Sequence, residues 1–234
     1  MPGYPAFLTL HVIAGTLALA TFWLAAVLRK GSPRHRLAGR VYLLAMATVI
    51  ASGVPLTLQR FLAGNPVAGA FLAYLLLLVG TTVWLSWRAI RDRHSPGRYL
   101  GRAYHALAVA NVLGGLGILA LGLKTGHALL TGFSLVGLLG GLDMWRRRRL
   151  IPHLPRWWMQ EHYGAMVGNG AATHIAFLAI GLPRLLPQLG GSTLYYVAWF
   201  LPVLLSVAAK LWLDRKYRMA APVAGPVAAP EAHA

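Results

Sequence analysis

From its N-terminus the chain alternates long apolar runs with short clusters of Arg, Lys, Gly and Pro. Seven runs stand out, over residues 5–28, 41–60, 67–88, 103–123, 127–145, 162–182 and 194–213. A run of about 18 or more apolar residues is long enough, at 1.5 Å each, to cross a hydrocarbon core of about 30 Å. Lipid offers the backbone no hydrogen-bonding partner, so each run must satisfy its own N–H and C=O groups as a helix. The pattern predicts an all-α polytopic bundle of seven transmembrane helices over 1–216. A tail over 217–234, rich in Ala, Pro and Val and without periodicity, reads as disordered.

The breaks between runs carry turn chemistry: Lys30-Gly31-Ser32-Pro33, Gly64-Asn65-Pro66, Ser95-Pro96-Gly97 and Gly190-Gly191-Ser192. The thinnest is Lys124-Thr125-Gly126. Without it, the fourth and fifth runs would fuse into a stretch too long for one span. The first ten residues, MPGYPAFLTL, have no basic segment ahead of the apolar run, so no cleavable signal is expected.

Charge adds orientation. The composition is 57% hydrophobic and 12% charged, with 22 Lys and Arg against five Asp and Glu and a formal charge of +17. In a soluble protein that excess would suggest nucleic acid. Here it is sorted by side. Arg29, Lys30, Arg34, Arg36 and Arg40 lie between runs one and two, and Arg88, Arg91, Arg93, Arg98 and Arg102 between three and four. Arg146, Arg147, Arg148, Arg149 and Arg156 lie between five and six, and Lys210, Arg215, Lys216 and Arg218 at the C-terminal end. Only Arg60, Lys124 and Arg184 fall on the other side. Positive loops stay in the cytoplasm, which places the N-terminus outside and the C-terminus inside. The expected partners are the bilayer and its anionic lipid headgroups, not nucleic acid. There are no cysteines, which removes disulfides, thiolate metal sites and cysteine nucleophiles.

Small residues mark close helix approach in lipid. Gly164, Gly168, Ala172 and Ala176 in span six, Ala106, Ala110 and Gly114 in span four, and Gly137 and Gly141 in span five predict a tight bundle of spans four to six. A homo-oligomer face is the alternative use of such a stripe. Gly39-Arg40-x-Tyr42 and Gly101-Arg102-x-Tyr104 each follow a helix and a basic turn, which suggests a repeated hairpin. Trp157, Trp158, Tyr195 and Tyr196 read as anchors at the membrane interface.

Ionisable groups inside a membrane are the default functional candidates. The five acids, Asp92, Asp143, Glu161, Asp214 and Glu231, all lie at span ends or beyond. Asp143 is explained by Arg146 or Arg147 one turn on, and Glu161 by the N-terminal dipole of its helix. Histidines remain. His11 in span one and His174 in span six fall at similar depth in the outer half, while His105 and His162 lie near the inner face. Paired intramembrane imidazoles suit the axial ligands of a b-type haem held between helices. Three other uses stand beside it: a transition-metal site, structural hydrogen bonds to Thr173, Asn169 or a backbone carbonyl, and proton or substrate handling. His162 and His174 are 12 residues apart and therefore rotated by about 120° about their helix, so they address different neighbours. No GxSxG, HExxH or Walker pattern is present.

His11-Val-Ile-Ala-Gly15, followed by Arg29-Lys30-Gly31 and His35-Arg36-Leu-Ala-Gly39-Arg40-Val-Tyr42, resembles an uncharacterised family of bacterial integral membrane proteins, a domain of unknown function. Trp158-x-x-x-His162-x-x-x-Met166 is similar to that family's later helix. The resemblance implies a bacterial inner-membrane location, singles out His11 and His35, and carries no activity. The expectation is thus a membrane protein with a histidine-lined site holding haem or a metal for electron transfer. Its alternative is a cofactor-free scaffold or small-molecule permease.

Overall fold

The computed structural model describes residues 4–188 and 191–217. The expected tail therefore lies, from residue 218, outside the described residues. Seven long apolar helices make up most of the described residues: α1 (Tyr4–Val27), α2 (Pro33–Leu62), α3 (Pro66–Arg91), α4 (Arg102–Thr125), α5 (Ala128–Leu150), α6 (Trp157–Ile175) and α7 (Ser192–Lys216). One helical turn, Pro96–Tyr99, lies between α3 and α4. The helical path of α6 continues through a π-turn, Ala176–Gly181, to Leu185. All seven are long and apolar enough to cross a membrane, so this is a multi-pass membrane protein.

Turn chemistry sets the helix starts. Ser32 accepts a hydrogen bond from the His35 backbone N–H at 3.2 Å, with Pro33 at the first helical position. Asn65 caps α3 by accepting from Ala68 N at 3.1 Å, again with proline next. Two polar turns therefore precede the apolar part of α2, which begins at 33 and not at 41. The Lys124 break holds: Gly126 adopts φ 68°, the left-handed cap that glycine takes without strain, and the chain reverses into α5.

Two hairpins are closely packed. Along α1, Ala14, Ala18, Thr21 and Ala25 form a buried stripe at alternating three- and four-residue steps, and Ala38, Tyr42 and Ala45 of α2 meet it. Between α4 and α5 the backbones come closer still. A Cβ on Gly141 would stand 2.7 Å from Ala108 O, and one on Gly122 2.7 Å from Thr131 N. Glycine is needed at both places because neighbouring backbone occupies the space.

The expected bundle of spans four to six is only half realised. α4 and α5 pair, but α6 packs chiefly on α3 and α7. Gly164 lies against the Lys210 side chain of α7, and Gly168 against the Thr82 methyl of α3. Spacing of small residues shows that a helix can be approached, and leaves open which helix does so.

Candidate functional site

Polar contacts converge on α6. Its loop turns at Arg156, a non-glycine residue with φ 55°, and the helix begins at Trp157. From there its polar side chains reach five other helices. Glu161 goes to α5, His162 to α3, Tyr163 to α7, Asn169 to α3, Thr173 to α2 and His174 to α1.

The middle of this array is a seam. His162, Met166, Asn169 and Thr173 recur at steps of four, three and four, which places them on one face of a helix. His162 Nδ1 meets Ser86 O at 3.1 Å. Thr82 Oγ1 donates to Asn169 Oδ1 at 2.7 Å. Thr173 Oγ1 donates to Asn169 O at 2.9 Å, leaving its lone pairs for the Tyr42 hydroxyl at 3.1 Å. Met46 and Met166 pack beside Tyr42. Asn169 has no solvent exposure, and its amide nitrogen has no hydrogen-bond partner. Leaving such a group unmade costs about 1–3 kcal/mol, so it stands out in a chain whose other seam groups are paired.

A second cluster closes the basic end. Arg147 Nε donates to Glu161 Oε1 at 2.5 Å, and the two side chains are 13% and 6% exposed. Tyr99 donates its hydroxyl to the other carboxylate oxygen at 2.8 Å. Burial, reinforced by the Glu161 charge, pushes the Tyr99 hydroxyl well above its ordinary range. The ring lies 4.7 Å from Trp157 and 5.3 Å from Tyr104. Trp84 stacks on it from the far side and carries Arg88 over its own face. Arg88 in turn pairs with buried Asp92.

This cluster corrects two expectations. Glu161 is paired with an arginine 14 residues earlier instead of resting on its helix dipole, and Trp157, 4% exposed, is a core residue instead of an interfacial anchor. Asp143 does pair with Arg146, at 3.1 Å. The spacing of Glu161 and Arg147 across a loop gave no sign of the pair. The two Gly-Arg-x-Tyr copies were the available signal, since Tyr42 and Tyr104 are both fully buried.

The four histidines take separate places. His11 Nδ1 lies 3.1 Å from Ser52 Oγ of α2. The Ser52 proton goes to Thr48 O, so His11 is the donor. His174 Nδ1 donates to Gly170 O at 2.7 Å, and Nε2 accepts from the Trp23 indole at 3.0 Å. His105 Nδ1 is held by Gly101 O, with its ring against Trp145 of α5. His162 faces α3. The similar depth expected for His11 and His174 is not found. On α1 their sites lie at residue 11 and at Phe22–Trp23, roughly 17 Å apart along the axis.

A haem held between His11 and His174 does not fit these residues. The two rings do not face one another, and the only lone pair of His174 is taken by Trp23. His105 and His162 address different helices, and no group of three His, Asp or Glu gathers among the described residues. Comparison with family models, with curated proteins and with solved structures finds no match for this chain.

Proposed function

We propose that the protein sits in a bacterial cytoplasmic membrane with its N-terminus outside, and that the α6 seam is a cofactor-free path for a small neutral polar solute. The membrane side and orientation rest on the basic loops and on the resemblance of residues 8–50 to bacterial membrane proteins. The path runs from His162 at the basic end to the Tyr42–Thr173 pair, about 16 Å further in. The observation that carries the reading is Asn169, wholly buried with its amide nitrogen unpartnered beside two hydroxyls and a phenol. Buried polar groups are almost always satisfied, so a donor left free in mid-bundle is a seat for a guest.

The chemistry of the seat narrows the guest. Hydroxyls, an amide and thioethers line it, with no charged side chain among them. A charged solute would arrive without a counter-charge in low dielectric, at a cost of several kcal/mol. A neutral hydrogen-bonding solute keeps its partners.

Stopped-flow swelling of proteoliposomes, with glycerol and urea as probes, tests the proposal. Swelling should exceed that of protein-free vesicles and return to their rate in Asn169→Leu. Equal swelling of wild-type protein and Asn169→Leu would reject it, as would a stoichiometric haem Soret band in purified protein. Orientation is tested separately. In this cysteine-free chain, a single cysteine near Lys124 should react with an impermeant maleimide on intact cells, and one near Arg93 should not.

A further inference from the structure

Tyr74 of α3 passes Gly114 of α4 and ends inside the backbone of α5. Its buried hydroxyl donates to Phe133 O at 3.0 Å and accepts from Gly137 N at 2.8 Å. In an unbroken helix those two backbone groups, four residues apart, bond to one another. The phenol therefore stands in a rung of the α5 ladder, and a side chain so placed is one of the few causes of a sharp helix kink. Glycine admits it. A Cβ on Gly137 would lie 2.5 Å from the Tyr74 oxygen, and one on Gly114 would lie 3.2 Å from its ring.

The rung divides the α4–α5 hairpin into two parts that are held differently. Towards the basic end, Arg147 pairs with Glu161 of α6, and Asn111 donates to Thr81 of α3 at 2.7 Å. Towards Lys124, Tyr74 makes the only side-chain hydrogen bonds between the hairpin and another helix among the described residues, since Thr125, Thr131 and Ser134 bond within the hairpin. Rings hold the rest of that arm: Phe133 lies 5.7 Å from Phe71 and 5.4 Å from Trp199, and Phe200 fills the space at Gly132. In lipid such apolar contacts differ little from contact with acyl tails. A Cβ on Gly115 would stand 2.9 Å from Ser134 O, so Gly114, Gly115 and Gly117 put the weakest helix-forming stretch of α4 at the level of the rung.

A second arrangement makes the same number of hydrogen bonds. When the hydroxyl moves one residue along to Ser134 O, already 3.2 Å away, Gly137 N is released to Phe133 O and the rung closes. Two bonds are made in each arrangement, and no backbone group is orphaned in either. Closing a kink of about 20° over the roughly 15 Å from Gly137 to His127 moves the hairpin tip by about 5 Å. We propose that the Lys124 arm of the hairpin is a lid hinged at Gly137, with the Tyr74 hydroxyl as its catch. The lid lies over the far end of α6, because Ile175, just beyond Thr173, and Ala179 pack in the same cluster as Phe133 and Trp199. That it covers the end of the seam rests on the proposed path; the hinge does not.

Double electron–electron resonance between nitroxides on the full, otherwise cysteine-free chain in nanodiscs tests it. One label pair, His127→Cys with Arg60→Cys, spans the lid tip and the end of α2. The other, Arg149→Cys with Arg36→Cys, lies at the basic end, and all four positions are exposed. Tyr74→Phe keeps the ring, removes the catch and lets the rung close, so the His127–Arg60 distance should shift by about 5 Å while the Arg149–Arg36 distance holds. Tyr104→Phe removes a buried phenol bonded to Met144 O of the same helix but outside its ladder, and should move neither. An unshifted lid pair in Tyr74→Phe, or an equal shift in Tyr104→Phe, overturns the inference. Should Tyr74→Phe fail to fold, the wild-type chain decides: amides of 132–136 should exchange with deuterium about tenfold or more faster than those of 140–144, and equal rates overturn it. Urea swelling separates lid from seam. Faster swelling in Tyr74→Phe supports a lid over the seam, whereas swelling that is lost in Asn169→Leu and unmoved in Tyr74→Phe keeps the seam and rejects the lid as its cover.

Discussion

Replacing Glu161 with Gln is the sharpest test of the basic-end cluster. The change keeps the shape of the side chain and removes its charge. Arg147, 13% exposed, is then left without its partner in a site sealed by Trp157, Tyr99 and Tyr104. Arginine does not shed its proton, so the protein must bear the charge or open to water. Breaking a buried pair in this way costs about 3–5 kcal/mol. For a chain of this length each kcal/mol moves the midpoint by about 2–4 °C, so Glu161→Gln should lower it by roughly 6–20 °C. Adding Arg147→Met should recover most of that loss, because the second change removes the orphaned charge and fills the space with an apolar side chain of similar length. The measurement is circular dichroism of the three proteins, wild type, Glu161→Gln and the double variant, in one detergent at pH 7. A loss below about 1 kcal/mol in Glu161→Gln, the usual worth of a surface pair, would refute the buried-pair reasoning. So would a double variant no more stable than Glu161→Gln.

Three other outcomes follow from the same coordinates. Gly141→Ala should destabilise by about 1–3 kcal/mol, because its Cβ would meet the Ala108 carbonyl at 2.7 Å, whereas Gly140→Ala meets nothing within 4 Å and should stabilise by about 0.5–1 kcal/mol; thermal midpoints that move together would contradict the α4–α5 contact. Tyr99, whose hydroxyl is held neutral by burial and by Glu161, contributes stability that is fully present below pH about 10 and falls as the unfolded chain ionises above it, by about 1.4 kcal/mol per pH unit. Tyr99→Phe should flatten that alkaline limb, as read from urea midpoints between pH 8 and 11. Trp23→Phe frees the Nε2 lone pair of His174, and the ¹⁵N shift of that nitrogen should report the lost indole bond while the His11 resonance stays unchanged.

The helices themselves were legible because lipid makes them so: an apolar run of spanning length has no stable form but a helix. The Lys124 turn was readable from one glycine. Helix starts were less so, since Arg34, His35 and Arg36 continue α2 beyond the apolar stretch and hydropathy cannot see them. Partner choice was not legible. In lipid, helices associate by shape and a few polar contacts, so Gly164 and Gly168 face α7 and α3, and Gly170 faces Phe22 of α1, without any sequence mark that says so. The histidines were found, but their depths depended on tilt and side-chain direction. Trp23 points back along α1 and His174 back along α6, and they meet well away from His11. In the sequence Asn169 is only one of several hydrogen-bonding neighbours open to a histidine. Its isolation is a property of the assembled bundle.

The reach of α6 also sets an order of events during synthesis. α1–α2 and α4–α5 can close as soon as each hairpin has entered the bilayer, because their small-residue faces are complete in themselves. Trp23, Tyr42 and Arg147 cannot be satisfied so early, for their mates arrive only with residues 161–174. Until then the nascent protein holds an arginine, an indole and a phenol in or near lipid without counterparts, a state open to quality-control proteases. Insertion of the sixth helix therefore acts as the latch of biogenesis, and chains that stall before it are the ones a cell should clear.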